Sequence, residues 1–131
     1  MSGRSSQRKG REGERQLARL LQEHGFNAVV GDPLNYGTQP DLTGIPGVHI
    51  EAKRCEHIRL SEWMEQAIRD SQRFGDGIPI VFHRRSREDW LCTMRMEDFI
   101  KMYQMGGIRH DTNTESGIDK AATCGAEAGT L

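Results

Sequence analysis

Apolar positions follow a helical spacing in three stretches of the chain. From Glu14 onward, leucines and other apolar residues recur at intervals of three and four residues up to Gly25, which is the spacing of one face of a helix. Gly25 is a suitable residue to end it. A second amphipathic helix is predicted over residues 61–74, with Ser61 as its N-cap. A third is predicted around residues 96–103.

Short apolar runs between turn residues predict the strands. They fall at residues 26–30, 41–43, 48–53, 78–83 and 90–94. Together with the helices they give the order αβββαββα. This order predicts an α/β fold, a central mixed β-sheet of about five strands flanked by helices.

Composition is consistent with a single polar domain. The chain has 131 residues, of which 35% are hydrophobic and 28% charged. No apolar run approaches the roughly 20 residues of a membrane span, so we expect no membrane partner. The N-terminus has no apolar signal region, and the three cysteines form no CxxC pair. We therefore expect a cytoplasmic protein with free thiols.

Charge is unevenly distributed, although the net charge is only −1. Residues 1–20 carry six Lys and Arg against two acids, which suits contact with a polyanion. We predict a flexible basic arm over residues 1–8, a folded domain over 9–105 and a disordered tail over 106–131.

The clearest chemical pattern is Pro40-Asp41, nine residues, then Glu51-Ala52-Lys53. Strand side chains alternate, so Glu51 and Lys53 should share a face, and the turn at residues 44–47 should bring Asp41 beside Glu51. Two adjacent carboxylates repel each other unless a cation joins them. The alternative is a surface strand whose charges face water.

A divalent metal would resolve that repulsion. Oxygen ligands suit Mg²⁺, with Mn²⁺ as a substitute, and we assign Asp41, Glu51 and the backbone carbonyl of Ala52 as ligands. Such a metal activates a water for phosphodiester hydrolysis, and Lys53 adds a fixed positive charge. Glu14 lies in line with the apolar stripe of the first helix and could act through a metal-bound water. Alternatively, it interacts with the helix dipole.

Basic residues beside Glu14 are candidate phosphate contacts. Arg11 and Arg15 repeat at four-residue spacing, and such contacts position DNA without reading its sequence. A solvated helix face is the other interpretation. The predicted DNA-binding residues are Arg8, Lys9, Arg11, Arg15, Thr38 and Arg54.

Several motifs in order resemble the archaeal-type Holliday-junction resolvases of the PD-(D/E)XK nuclease superfamily. They are Arg8-Lys9-Gly10, Glu14-Arg15-Gln16-Leu17, His24-Gly25-Phe26, Pro40-Asp41-Leu42, Glu51-Ala52-Lys53, Ser71 to Gly75, Gly77-Ile-Pro-Ile and Trp90. The resemblance covers about residues 8–100. The loop before Asp41 and residues 54–60 depart from the archaeal pattern, which points to a viral or bacterial member acting, if viral, in the host cytoplasm.

The resemblance implies a restriction-endonuclease-like core over residues 9–105 and a Mg²⁺-dependent endonuclease for DNA recombination and repair. It also implies a homodimer that resolves four-way DNA junctions, with Glu14, Asp41, Glu51 and Lys53 as the catalytic set. Two alternatives are kept. One is a nuclease of the same fold that acts on duplex or flap DNA, and the other is a non-catalytic DNA-binding module.

Overall fold

The computed structural model describes the backbone of residues 3–32, 34 and 37–107, and the side chains of these residues except 3–7 and 9. The elements are, in chain order, α1 (Gly3–Glu23), β1 (Val29–Val30), β2 (Leu42–Thr43), β3 (Val48–Arg54), α2 (Leu60–Phe74), β4 (Ile78–Arg84), β5 (Leu91–Met94) and α3 (Met96–Met102). This order confirms the predicted succession αβββαββα.

The five strands form one mixed sheet in the order β1-β2-β3-β4-β5. Three neighbouring pairs are antiparallel, and only β3 and β4 run parallel. A parallel pair needs a crossover connection, and α2 supplies it. The mixed sheet that the sequence predicts is thus confirmed.

The helices α1 and α2 cover opposite faces of the sheet. Gln66 of α2 bonds to Lys53, so α2 lies over the face of β3 that carries Lys53. On α1, Gln16 accepts a hydrogen bond of 2.6 Å from Arg84. Arg84 pairs in register with Arg54, whose side chain points away from Lys53, so α1 covers the other face.

Each face has its own apolar core. Under α2, Trp63, Ala67 and Val81 form one buried cluster. Under α1, Leu17 and Ile50 are buried, at 3% and 0% exposure. Burial of each large apolar side chain contributes about 1.5–3 kcal/mol, and these contacts hold β3 between the two helices.

The start of α1 differs from the sequence-based expectation. We expected the first helix to start at Glu14, whereas α1 begins at Gly3. The flexible arm over residues 1–8 stays a prediction. Residues 3–10 contain no proline, and extending a helix that is already packed on a sheet costs little. The predicted stop at Gly25 is confirmed, because Gly25 has a φ of 95° and donates to the Gln22 carbonyl at 3.0 Å.

Two further boundaries shift for local reasons. The predicted strand from Phe26 starts only at Val29, because the Phe26 N–H bonds back to the Leu21 carbonyl and closes the end of α1. The predicted cap Ser61 lies inside α2. Arg59 occupies the N-cap position without a side-chain capping bond.

The chain divides into two compact units after Asp98. In the second, the rings of Phe99 and Tyr103 lie 6.2 Å apart, and a wider helical turn over Tyr103–Gly107 is interrupted at Gly106, where φ is 94°. The predicted tail lies outside the described residues beyond Gly107, so the domain boundaries stay predictions. None of the helices in the described part has the length and apolar character of a membrane span.

Candidate functional site

Glu51 and Lys53 project from β3 toward α2 and lie side by side. Glu51 is 3% exposed, and its Oε2 lies 3.6 Å from the Nζ of Lys53. That Nζ donates a hydrogen bond of 2.9 Å to Oε1 of Gln66. The acid and the ammonium therefore share one face, as strand alternation predicts, and Gln66 helps to fix the ammonium.

Asp41 enters the site from the residue before β2. Leu42 pairs with Ile50 on the α1 face, so alternation places Asp41 on the other face, with Glu51. The side chains interact electrostatically. Burial raises the pKa of Asp41 above its usual 3.8, repulsion from Glu51 raises it further, and Lys53 opposes the rise.

Glu14 reaches the same carboxylates from α1. Its neighbour Gly13 makes a close approach, since a Cβ there would lie 2.6 Å from the Cβ of Arg54. This contact brings the part of α1 that carries Glu14 close to β3. Burial raises the pKa of Glu14 from 4.5 to about 7, with repulsion from Asp41 adding to the rise and Arg11 opposing it.

The three carboxylates provide oxygen ligands for a cation. The Oε2 atom of Glu51 is buried and receives no hydrogen bond in the described structure. A buried acceptor without a hydrogen-bond donor is costly. Burial is the main cause of the raised pKa values of Glu14 and Asp41, and repulsion between carboxylates adds to the rise. These oxygen donors fit a divalent metal such as Mg²⁺ or Mn²⁺.

A histidine and two more acids join the site. His49 is 1% exposed, and its Nδ1 lies 2.9 and 3.0 Å from the two carboxylate oxygens of Asp76. Its Nε2 lies 3.4 Å from Oε1 of Glu51. His49, Glu51 and Asp70 each offer a ligand atom, and these atoms lie within 4.8 Å of one another.

Two carboxylates act on the His49 imidazole. Burial alone lowers the pKa of His49, but hydrogen bonds to Glu51 and Asp76 outweigh burial, and the net pKa is above the usual 6.5. Strand alternation places His49 on the same face as Glu51, whereas no motif in the sequence singles out Asp70 or Asp76. The helical spacing held one signal, because Asp70 lies four residues after Gln66 and so shares its face of α2.

The predicted DNA-binding residues lie in three places, on α1, in the loop before β2 and at the end of β3. On α1, Arg8 and Arg15 are exposed, Arg11 is partly buried, and the side chain of Lys9 lies outside the described part. Thr38 is exposed in the loop before β2. These contacts stay predictions.

Arg54 is already engaged on the protein surface. Its guanidinium donates to Glu56 at 2.8 Å and to Ser86 at 3.1 Å. Hydrogen bonds from Ser86 and Arg54 lower the pKa of Glu56 to about 2. A DNA phosphate would have to compete with Glu56 for Arg54.

A mixed sheet with a Glu-x-Lys pair on its central strand, one acid directly before β2 and another on a flanking helix defines the class of carboxylate- and lysine-bearing nucleases. The family model of the archaeal Holliday junction resolvases (Hjc) matches residues 5–128, and this chain belongs to that family. It is a resolvase-like endodeoxyribonuclease, which confirms the resemblance seen in the motifs.

A solved structure agrees with the family match. The chain is similar to Hjc of Archaeoglobus fulgidus, described as a Holliday junction resolvase from an archaeal hyperthermophile, at 25% identity and a TM-score of 0.50. The similarity covers 66% of this chain and 72% of that one. None of the curated protein sequences matches this chain significantly.

Proposed function

We propose that this chain is a Mg²⁺-dependent, structure-selective endonuclease that resolves four-way DNA junctions as a homodimer, with Mn²⁺ as a substitute metal. The observation that carries the proposal is the buried Glu51 carboxylate. In the described part of the chain, one of its oxygens receives no hydrogen bond, and the Nζ of Lys53 lies 3.6 Å from that oxygen. Membership of the resolvase family supports branched double-stranded DNA as the substrate.

Each residue of the site has a distinct task. Asp41, Glu51 and the carbonyl of Ala52 would hold the metal, and Glu14 would contact it through water. When bound, the metal neutralises a phosphodiester oxygen and lowers the pKa of a water. Lys53, held by its bond to Gln66, places a positive charge where negative charge builds on the phosphate.

The basic face of α1 would bind the DNA backbone next to this site. Arg11 and Arg15 both interact electrostatically with Glu14, so they lie close to the carboxylates. A four-way junction has no fixed sequence, and contacts to phosphates and shape are sufficient to recognise it. Arg8 lies on the same helix, nearer its N-terminus, and adds to this basic face.

A homodimer would match the symmetry of the substrate. Resolution requires two opposed cuts, and a two-fold symmetric dimer provides two equivalent sites. We further propose the cytoplasm as the location. In the described part of the chain, Cys55 and Cys92 are free thiols, which agrees with a reducing compartment.

The central experiment compares a four-way junction with a linear duplex built from the same arms, with Mg²⁺ and with EDTA. We expect paired nicks in the junction only, and none with EDTA. Asp41→Asn and Glu51→Gln should each lower cleavage by about a hundredfold or more while junction binding persists. Glu65→Gln, an exposed acid on α2, is the matched control.

Other outcomes would contradict the proposal. Equal cleavage of the linear duplex would favour a duplex or flap nuclease. Junction binding without nicks under either metal would favour a non-catalytic module. Sedimentation measurements that show a single copy of the chain bound to the junction would contradict the proposed homodimer.

A further inference from the structure

We infer that His49, Glu51 and Asp70 form a metal position with one imidazole nitrogen, held in place by Asp76, and that this position selects Mn²⁺ over Mg²⁺. The inference rests on the proposed metal-dependent function and names ligands that the motif comparison does not assign. It concerns the residues around Glu51 on the face that α2 covers, where Asp41 interacts electrostatically with His49 and Asp70.

The geometry alone permits a metal, since one ligand atom from each of the three side chains lies within 4.8 Å of the others. An independent observation points to a ligand. Glu51 is 3% exposed, and in the described structure its Oε2 receives no hydrogen bond, since the Nζ of Lys53 approaches it only to 3.6 Å. A cation that contacts Glu51 would satisfy this oxygen.

Asp76 fixes the orientation of the imidazole. Both of its carboxylate oxygens lie within 3.0 Å of Nδ1 of His49, which therefore carries the proton and donates it. The opposite nitrogen, Nε2, faces Glu51 at 3.4 Å. A carboxylate that holds one nitrogen of a histidine while the other faces a metal is a recurrent arrangement in metal sites.

The backbone keeps Asp76 in this position. It lies between Gly75, which ends α2 with a φ of 61°, and Gly77, which has a φ of 130°. A Cβ at Gly77 would lie 2.2 Å from the backbone of Gly47, just before β3. The N–H of Ile78 also donates to the Gly47 carbonyl at 2.9 Å, so the loop is fixed against the start of the strand that carries His49.

Ligand chemistry gives the metal preference. Mg²⁺ favours oxygen ligands and retains its waters, whereas imidazole nitrogen suits later divalent metals, and Mn²⁺ accepts both kinds of ligand. Removing the nitrogen should therefore weaken Mn²⁺ binding more than Mg²⁺ binding. The competing interpretation is that His49 carries protons on both nitrogens and bridges Asp76 and Glu51 as a purely structural ion pair.

Electron spin-echo spectroscopy of the DNA-free protein with substoichiometric Mn²⁺ distinguishes the metal-bound His49 from the structural ion pair. We expect modulation from a directly bound ¹⁴N nucleus, replaced by a ¹⁵N pattern when only histidine is isotopically labelled. The measurement needs no variant, so it does not depend on whether a mutant folds. Bound Mn²⁺ without histidine nitrogen coupling would overturn the inference.

Variants then assign the nitrogen to one residue. His49→Gln should abolish the coupling and lower Mn²⁺ affinity by about tenfold or more in calorimetry. His83→Gln is the matched control, because His83 is also buried but bonds to Thr93 instead of the acids. Coupling that survives in His49→Gln, or disappears in His83→Gln, would contradict the assignment.

Asp76 is a positioning residue, and Asp76→Asn tests it. We expect about 10–100-fold weaker Mn²⁺ binding and altered nitrogen coupling, with Mg²⁺ affinity less affected. Equal losses for both metals would show a merely structural role. A protein that cleaves junctions without nitrogen coupling would refute this inference alone, whereas nitrogen-bound Mn²⁺ without cleavage would refute only the proposed function.

Discussion

Replacing Glu14 with Gln should stabilise the metal-free protein at high pH and leave its stability nearly unchanged at low pH. In the folded chain, burial and the nearby Asp41 raise the pKa of Glu14 from 4.5 to about 7. The folded state therefore binds a proton more tightly than the unfolded state does. Between these two values, stability falls as pH rises, and above about pH 7 the whole penalty is present.

The size of the effect follows from the pKa. A rise from 4.5 to about 7 corresponds to about 3 kcal/mol of free energy. Water reaches this partly buried side chain and screens its charge, so we expect about 1–2 kcal/mol. Glutamine does not titrate and keeps nearly the same shape, so Glu14→Gln should gain this amount relative to the native chain above pH 7 and none of it below pH 4.5.

Urea unfolding at several pH values, with EDTA throughout, measures the difference. Glu12→Gln is the matched control, since Glu12 is an exposed acid on the same helix and its replacement should change stability by less than about 0.5 kcal/mol at every pH. Saturating Mn²⁺ should reduce or reverse the advantage of Glu14→Gln. A difference between native and Glu14→Gln proteins that does not change with pH would refute the electrostatic account of the site.

Three further predictions address catalysis, packing and DNA contact. Lys53→Met should lower junction cleavage by about a hundredfold or more while binding, measured by gel shift, stays within a few-fold; near-native cleavage would contradict the role of the ammonium. Gly77→Ala should destabilise the fold by about 2–4 kcal/mol in thermal unfolding, because its Cβ would meet neighbouring backbone at 2.2 Å, whereas Gly10→Ala on α1 meets nothing within 4 Å and should be neutral or slightly stabilising. Arg8→Ala and Arg15→Ala should each reduce the salt slope of junction affinity by about one, and an unchanged slope would show that neither contacts phosphate.

Much of the fold could be predicted from local patterns, and the exceptions are instructive. The alternation in β3 correctly predicted that Glu51 and Lys53 share a face, because strand geometry fixes this for any chain that forms the strand. The predicted start of the first helix at Glu14 was wrong. Local patterns do not show that α1 extends back to Gly3, because a helix that is already packed on the sheet can be extended at little cost. Phe26 belongs to the end of α1 because of one backbone hydrogen bond.

The sequence by itself determined the succession of elements, the αβββαββα order and the motif that links Asp41 to Glu51 and Lys53. Helical and strand periods and turn residues act over a few neighbours and can be read in a single chain. Only the tertiary structure decided which partners surround these groups. Gln66 and Asp70 from α2, and Asp76 from the loop after it, meet β3 because that helix crosses between two parallel strands. Contacts between residues distant in the chain depend on how the layers pack, and no local period encodes that packing.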